Sequence, residues 1–129
     1  MRIAITALLA LLCVAFAAAF VDWWRLENSI RQARDEVRAN FPVGMALTAA
    51  SAVASAHYPR AMIYPAAECD ALIQKDGHPE HAAGGPCLFA AAAAGKNALG
   101  FGAEVSFALL FGPDSKLKAV HVRQVSTWL

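Results

Sequence analysis

The chain has 129 residues, which is enough for one small domain. Its hydrophobic content of 58% is high for a soluble domain, but much of it is alanine and much lies in one N-terminal run. Of the 11 Lys and Arg residues one is Arg2, so the rest of the chain balances its 10 Asp and Glu residues. Binding to nucleic acid, and electrostatic binding of a polybasic segment to an anionic membrane, both need a clustered excess of Lys and Arg. The balance of positive and negative charges therefore argues against both.

Residues 3–21, IAITALLALLCVAFAAAFV, carry no charge. At 1.5 Å rise per residue such a helix is about 28 Å long, close to the hydrocarbon thickness of a bilayer. A cleaved signal peptide usually has an apolar core of only ~7–15 residues, so the length favours a retained anchor. Ala17–Ala19 also fits the small-x-small cleavage rule, which keeps a signal peptide as the alternative. Both interpretations imply export.

Trp23 and Trp24 follow the apolar run, where an aromatic belt would lie at the outer membrane interface. Cys13 is preceded by Leu12 rather than by the small residue of a lipobox, so we interpret it as a small apolar residue facing lipid. We therefore expect contact with membrane lipid through this helix. The expected location is the inner membrane, single-pass with the domain in the periplasm, or secreted into the periplasm if the N-terminus is cleaved.

Residues 22–40 predict an amphipathic juxtamembrane helix, because apolar residues recur at spacings of three and four. The stripe covers fewer than three heptads, so packing against the protein's own sheet is favoured over a dimeric coiled coil. If the anchor is retained, the two helical segments can run on as one. The residues of the stripe are Trp23, Leu26, Ile30, Ala33 and Val37.

Proline and glycine in Phe41–Gly44 end this helix. Residues 47–57, LTAASAVASAH, then predict a short second helix, with Thr48 available as its N-cap. His57 at its C-terminus is interpreted as facing the negative end of the helix dipole, the alternative being a catalytic or ligand role.

The middle of the chain predicts a short strand at Ala61–Tyr64, ended by Pro65. Cys69–Ile73 fits a strand or a turn of helix, and periodicity does not separate the two. Residues 75–86 are dense in turn-forming residues and form an excursion between Cys69 and Cys87. A closed loop of this kind is a plausible contact surface.

The two cysteines admit three chemistries. A disulfide suits an exported small domain and contributes about 3 kcal/mol in the chain-entropy model. Cys69, His78, His81 and Cys87 have the ligand types of a zinc site, but their order lacks a close cysteine pair. A Cys/His nucleophile needs a thiolate kept reduced, and nothing in the sequence supplies that context. Export favours the disulfide, with both histidines solvated in the loop and no cofactor.

The C-terminal region predicts a β-hairpin. Residues 104–111 alternate with period two, which places Val105, Phe107, Leu109 and Phe111 on one face. Residues 112–116 form a turn, and residues 117–127 return as the second strand. The preceding alanine run, residues 90–94, fits a strand edge or a short helix.

The returning strand carries the remaining candidate site residues. Val120 and Val122 lie on one face, and His121 and Arg123 on the other. The second pair is interpreted as a polar sheet face or as a site that binds a partner or an anion. Trp128 is either a plug over the core or an exposed anchor for a partner.

A lone hairpin is marginal in water and needs a further strand and a helix. The sequence therefore predicts an α+β two-layer sandwich, in which the N-terminal helices pack on a small antiparallel β-sheet ending in the C-terminal hairpin. The expected units are a signal anchor or signal peptide at 1–21, a juxtamembrane helix at 22–40 and the small domain at 41–129.

Several of these features, in this order, resemble the SmpA/OmlA (BamE-like) family of small envelope proteins. The resemblance spans about residues 41–125 and is carried by Phe41–Met45, a short helix containing Val53, and the segments Val105–Phe107 and Phe111–Val120. It implies two helices on a three-stranded antiparallel sheet and a non-enzymatic scaffold role in envelope assembly. The chain lacks the family's lipobox and its Gly-x-Pro after the short helix, and the Cys69–Cys87 excursion is additional.

We therefore expect a membrane-tethered, extracytoplasmic interaction or scaffold module that is not an enzyme. It would contact an envelope protein partner and no nucleic acid. Two other classes stay open: a metal-binding envelope protein that uses the Cys/His loop, and an inhibitor or immunity protein for an envelope enzyme. Fold alone does not choose among them.

Overall fold

The computed structural model describes residues 1–58, 60–75, 83–96 and 102–128, and for residue 96 and residues 123–128 only the backbone is described. In these ranges the helices are α1 (Arg2–Asn40), α2 (Leu47–His57) and α3 (Ala66–Lys75). The strands are β1 (Met62–Tyr64), β2 (Cys87–Lys96), β3 (Gly102–Phe111) and β4 (Leu117–Trp128).

Helix α1 is continuous over 39 residues. Residues 2–21 are exposed, whereas Ile30, Ala33 and Val37 in the second half are buried against the sheet. The apolar stripe therefore packs on the protein's own sheet from Leu26 to Val37, as predicted, whereas its first member, Trp23, is exposed. Of the described helices, α1 alone is long and apolar enough to cross a bilayer, although a signal sequence has the same length and composition.

Helix α2 has the predicted bounds, but the prediction of Thr48 as its N-cap was wrong. The N-cap position is Ala46, and no side chain caps the helix. The backbone of the β3–β4 turn supplies the partner instead, because the Leu47 N–H donates to the Ser115 carbonyl at 2.9 Å. Ala46 also forms an isolated bridge with Lys116. A partner distant in sequence thus satisfies one of the free N–H groups at this helix terminus.

The four strands form an antiparallel sheet in the order β1-β2-β3-β4. The alanine run is therefore strand, and its residues pair with β3 through Ala90 opposite Phe107 and Ala92 opposite Val105. The sheet has one strand more than the SmpA/OmlA resemblance implies. The antiparallel α+β architecture predicted from the sequence is confirmed.

One face of the sheet, which we call the helix side, is covered by α1 and α2. The alternating set of β3, from Val105 to Phe111, is fully buried there. Its centre is a group of three rings, in which Phe107 lies 5.8 Å from Phe41 and 5.1 Å from Tyr58 between ring centroids. Such pairs stabilise beyond their area burial, so this cluster anchors the helices to the sheet.

The opposite face, which we call the α3 side, is covered at one end by α3. Cys69 and Ile73 of this helix are buried against Cys87, Ala108 and Leu110 of the sheet. The segment whose periodicity left strand and helix open is thus helical. It adds a short third layer to the predicted two.

Helix α1 runs antiparallel to β2. Ile30 and Ala33 pack with Ala94 and Ala103, whereas Val37, further along α1, packs with a cluster that includes residues near the start of β2. The apolar half of α1 therefore leaves the domain where β2 ends and β3 begins. The disulfide and the β3–β4 turn lie at the far end.

The β3–β4 turn follows the proline-containing sequence predicted for it. The Ser115 N–H donates to the Gly112 carbonyl at 2.9 Å, and Ser115 has a φ of 59°, the left-handed conformation that closes a three-residue hairpin loop with a bulge. The Lys116 N–H donates to Asp114 at 3.3 Å. That hydrogen bond, and then the charge of Lys118, lower the pKa of the Asp114 carboxyl from its ordinary value of 3.8.

Candidate interaction surface

The Cys69–Cys87 disulfide joins α3 to the first residue of β2, with a Cα–Cα distance of 5.9 Å. Both cysteines are almost fully buried. Because the two sulfurs are bonded to each other, neither is available as a zinc ligand or as a thiolate nucleophile. His78 and His81, with most of the loop predicted as a contact surface, lie outside the described residues.

The structure does not gather the other predicted site residues into one place. His121 lies half-buried on β4 opposite Ala108, on the α3 side. Arg123 lies at a register shift of β4, between Val122 opposite Phe107 and Gln124 opposite Ser106. The backbone of Trp128 pairs with Gly102 at the end of the sheet where the apolar helix emerges.

Trp23 and Trp24 are 57% and 55% exposed on α1, directly after the apolar run. This placement fits the membrane-interface role predicted for them. Cys13 is a free, exposed cysteine within the apolar half of the same helix.

The open edge of β2 was not predicted from the sequence. Strand β1 pairs only with Cys87–Phe89. Just before β1, the Ala61 N–H donates to the Tyr58 carbonyl at 3.1 Å rather than to β2. No described strand lies beside β2 beyond Phe89.

The direction of the β2 backbone groups follows from one hydrogen bond. The Phe111 N–H donates to the Pro86 carbonyl at 3.0 Å, in line with the β2–β3 register. Because hydrogen-bonded pairs alternate along an antiparallel ladder, every second residue from there bonds to β3, and the intervening residues direct their N–H and C=O groups the other way. Ala91 and Ala93 are intervening residues. Among the described residues none pairs with their outward backbone groups.

A cavity flanks this edge on each side of the sheet. On the helix side, a cavity of about 330 Å³ is lined by Glu36, His57, Tyr58 and Arg60, with Ala33 and Ala91–Ala93 as its floor. On the α3 side, a cavity of about 170 Å³ has an apolar wall of Met62, Tyr64 and Phe89 and a polar wall of Arg60, Glu104 and Ser106. We call the edge from Ala90 to Ala93 with these two cavities the β2 edge site.

The charges around the β2 edge site are unevenly matched. Arg60 forms an ion pair with Glu104 of β3. The Arg60 side chain is 71% exposed, so this pair adds little stability. Glu36 is exposed on α1, and no described cation pairs with it. The helix-side cavity therefore carries one carboxylate, that of Glu36, which forms no ion pair with a described residue although Arg60 and His57 line the same cavity.

No family model, curated protein or solved structure matches this chain. Its function is therefore inferred from its own fold and surface.

Proposed function

We propose that this protein is a membrane-tethered, extracytoplasmic interaction module of a bacterial-type cell envelope, without catalytic activity. The observation that carries the proposal is the division of α1. One uninterrupted helix has an exposed apolar half and a second half buried in the domain. The same helix would hold the protein in the inner membrane and form part of the core of its periplasmic domain.

The disulfide supports a location outside the cytoplasm, because such bonds persist in oxidising compartments and are rare in reducing ones. It also bears on the absence of catalysis. The two cysteines of the central loop were the strongest candidates for chemistry in the sequence, and both are bonded and buried. Their bonding removes these two thiols as nucleophiles, which supports a binding role over a thiol-catalysed one.

Membrane fractionation of the full chain tests the tether. We expect the protein to stay in the membrane pellet after a carbonate wash. N-terminal sequencing should find a chain that begins at Met1, or at Arg2 if the initiator methionine is removed. A variant that begins at Asp22 behind a cleavable signal sequence should be soluble. Soluble full-length protein with an N-terminus near residue 20 would show a secreted protein instead.

Thiol alkylation followed by mass spectrometry tests the compartment. Of the three cysteines, only Cys13 is free, so denatured but unreduced protein should take up one alkyl group. Cys13→Ser should take up none until it is reduced. Full alkylation of Cys69 and Cys87 in protein taken directly from cells, or resistance of the domain to protease added to spheroplasts, would contradict an extracytoplasmic domain.

Site-specific photocrosslinking in the native membrane tests the interaction role. A photoreactive residue is placed at exposed positions spread over the domain, such as Val43, Glu68, Ala93 and Lys118. An interaction module should give a discrete protein adduct from a contiguous subset of these positions. Equal weak adducts from all of them, or none from any, would contradict the proposal.

A further inference from the structure

We infer that the β2 edge site binds an extended segment of a partner protein as an added strand, with a basic residue facing the helix side and an apolar residue facing the α3 side. This inference rests on the proposed function as an interaction module and names the kind of partner that the module would hold.

The first argument is the open backbone. Ala91 and Ala93 present two N–H donors and two C=O acceptors that no described strand satisfies. Proteins usually protect such an edge with lysine, proline, a bulge or a covering element. Residues 90–94 are all alanine, and the register shift begins only after Ala93. The side chains of β2 itself are thus too small to block a strand, and the charged side chain beside the edge is Arg60, which is 71% exposed.

The second argument is the pair of cavities. Side chains of a strand point alternately to the two faces of a sheet, so an added strand needs room on both. In this mode of recognition, main-chain hydrogen bonds give affinity and pockets for alternate side chains give specificity. The β2 edge site has a cavity on each side at the level of Ala91. An added strand would continue the line that β1 begins.

The third argument is the chemistry of the two cavities. Glu36 on the helix side has no described cation partner and would pair with a Lys or Arg of the added strand. On the other side, Met62 and Phe89 would pack with an apolar residue, while Arg60 and Glu104 at the opposite wall already neutralise each other. The segment that fits best therefore alternates basic and apolar residues.

The fourth argument excludes a second copy of the chain, given the tether. Antiparallel pairing of two β2 edges requires a twofold axis perpendicular to the strands. That axis inverts one copy, so its α1 would leave the domain in the opposite direction. Two copies anchored in the same membrane must send α1 the same way. The occupant of the edge is thus a different chain.

Amide hydrogen exchange measured by NMR on the full chain in detergent micelles tests the inference. Without ligand, the Ala91 and Ala93 amides should exchange at least about tenfold faster than those of Ala90 and Ala92, because only the latter bond to β3. Addition of a capped synthetic peptide of alternating lysine and valine should slow the Ala91 and Ala93 amides by at least about tenfold. A peptide of alternating glutamate and valine should protect them less, because it places a carboxylate beside Glu36.

Two pairs of variants give the matched controls. Ala93→Pro removes an outward N–H and should abolish the protection of Ala91, whereas Ala93→Val keeps the N–H and should bind. Glu36→Gln should weaken binding of the lysine-valine peptide about three- to tenfold, a loss typical of one charged contact. Glu68→Gln makes the same charge change on exposed α3 and should leave the affinity unchanged. If Ala93→Pro fails to fold, the comparison of Glu36→Gln with Glu68→Gln still tests whether the peptide binds beside Glu36.

Four results would overturn the inference. Slow exchange at Ala91 and Ala93 in the free monomer would show that the edge is already covered. Protection that rises with protein concentration would show a second copy in the site. Failure of the lysine-valine peptide to protect these two amides, or equal effects of the two glutamine variants, would remove the proposed partner chemistry. Hydrogen exchange on the purified chain tests the β2 edge site and does not depend on where the protein lies in the cell. Membrane fractionation tests the tether, so failure of the proposed function would be recognised separately.

Discussion

The two faces of the sheet are held by different means. On the helix side, α1 and α2 together bury a continuous apolar cluster around the rings of Phe41, Tyr58 and Phe107. On the α3 side, a helix of ten residues buries only Cys69 and Ile73. A helix this short is marginal in water, and the disulfide holds it against the sheet. A covalent bond thus replaces apolar area where little area is available.

The largest expected effect is on the helix side. Phe107→Ala should lower the free energy of unfolding by about 3–5 kcal/mol, because it empties a fully buried site in contact with two other rings. Phe89→Ala is the control on the α3 side, where the ring is only partly buried and contacts Tyr64. Urea unfolding of both variants should show the smaller loss for Phe89→Ala. Equal losses would mean that the two faces do not differ as described.

The next effect is on the α3 side. The double variant Cys69→Ala with Cys87→Ala should lose about 3 kcal/mol, estimated from the loop closed by the bond. Amide exchange should rise first in α3, while the amides of β3 stay protected, because the helix-side core is untouched. Loss of protection throughout the sheet at the same rate would indicate that the disulfide supports the whole domain rather than one face.

The smallest effect is at the β3–β4 turn, which both faces share. The pKa of Asp114 is lowered by its hydrogen bond from Lys116, so its contribution to stability is present above pH 3.8 and is lost as the pH falls through the lowered value. Asp114→Asn should flatten this part of the pH profile and should be slightly less stable than the wild type at neutral pH, because it lacks the charge that contributes there. The check is urea unfolding between pH 2 and 5 for both proteins, over about the usual range of carboxyl titration. An unchanged profile would show that Asp114 contributes nothing there.

The elements predictable from sequence were those with a strong local period. Val105 to Phe111 alternate, and Ile30, Ala33 and Val37 recur at helical spacing, so both were placed correctly. The alanine run has no period, since alanine fits either face and either element. Pairing with β3 makes it a strand, and that information lies in another part of the chain.

The candidate site was harder to predict because it depends on distant residues. Cys69 and Cys87 could be paired from composition and export. By contrast, Arg60 and Glu104 lie 44 residues apart with no motif between them. The edge of β2 is open because β1 is only three residues long, and the bounds of so short a strand are set by its neighbour. The disulfide could therefore be predicted from the sequence, but the open edge of β2 could not.

The continuity of α1 also fixes the angular position of the domain. A helix turns about 100° and rises 1.5 Å per residue, so the azimuth of the sheet relative to the exposed apolar half of α1 is set by the number of residues between Val21 and Leu26. One inserted residue there would rotate the domain by about 100° about the helix axis while hardly changing its height. If a partner is fixed in the same membrane, the length of this short segment would determine which side of the domain it meets.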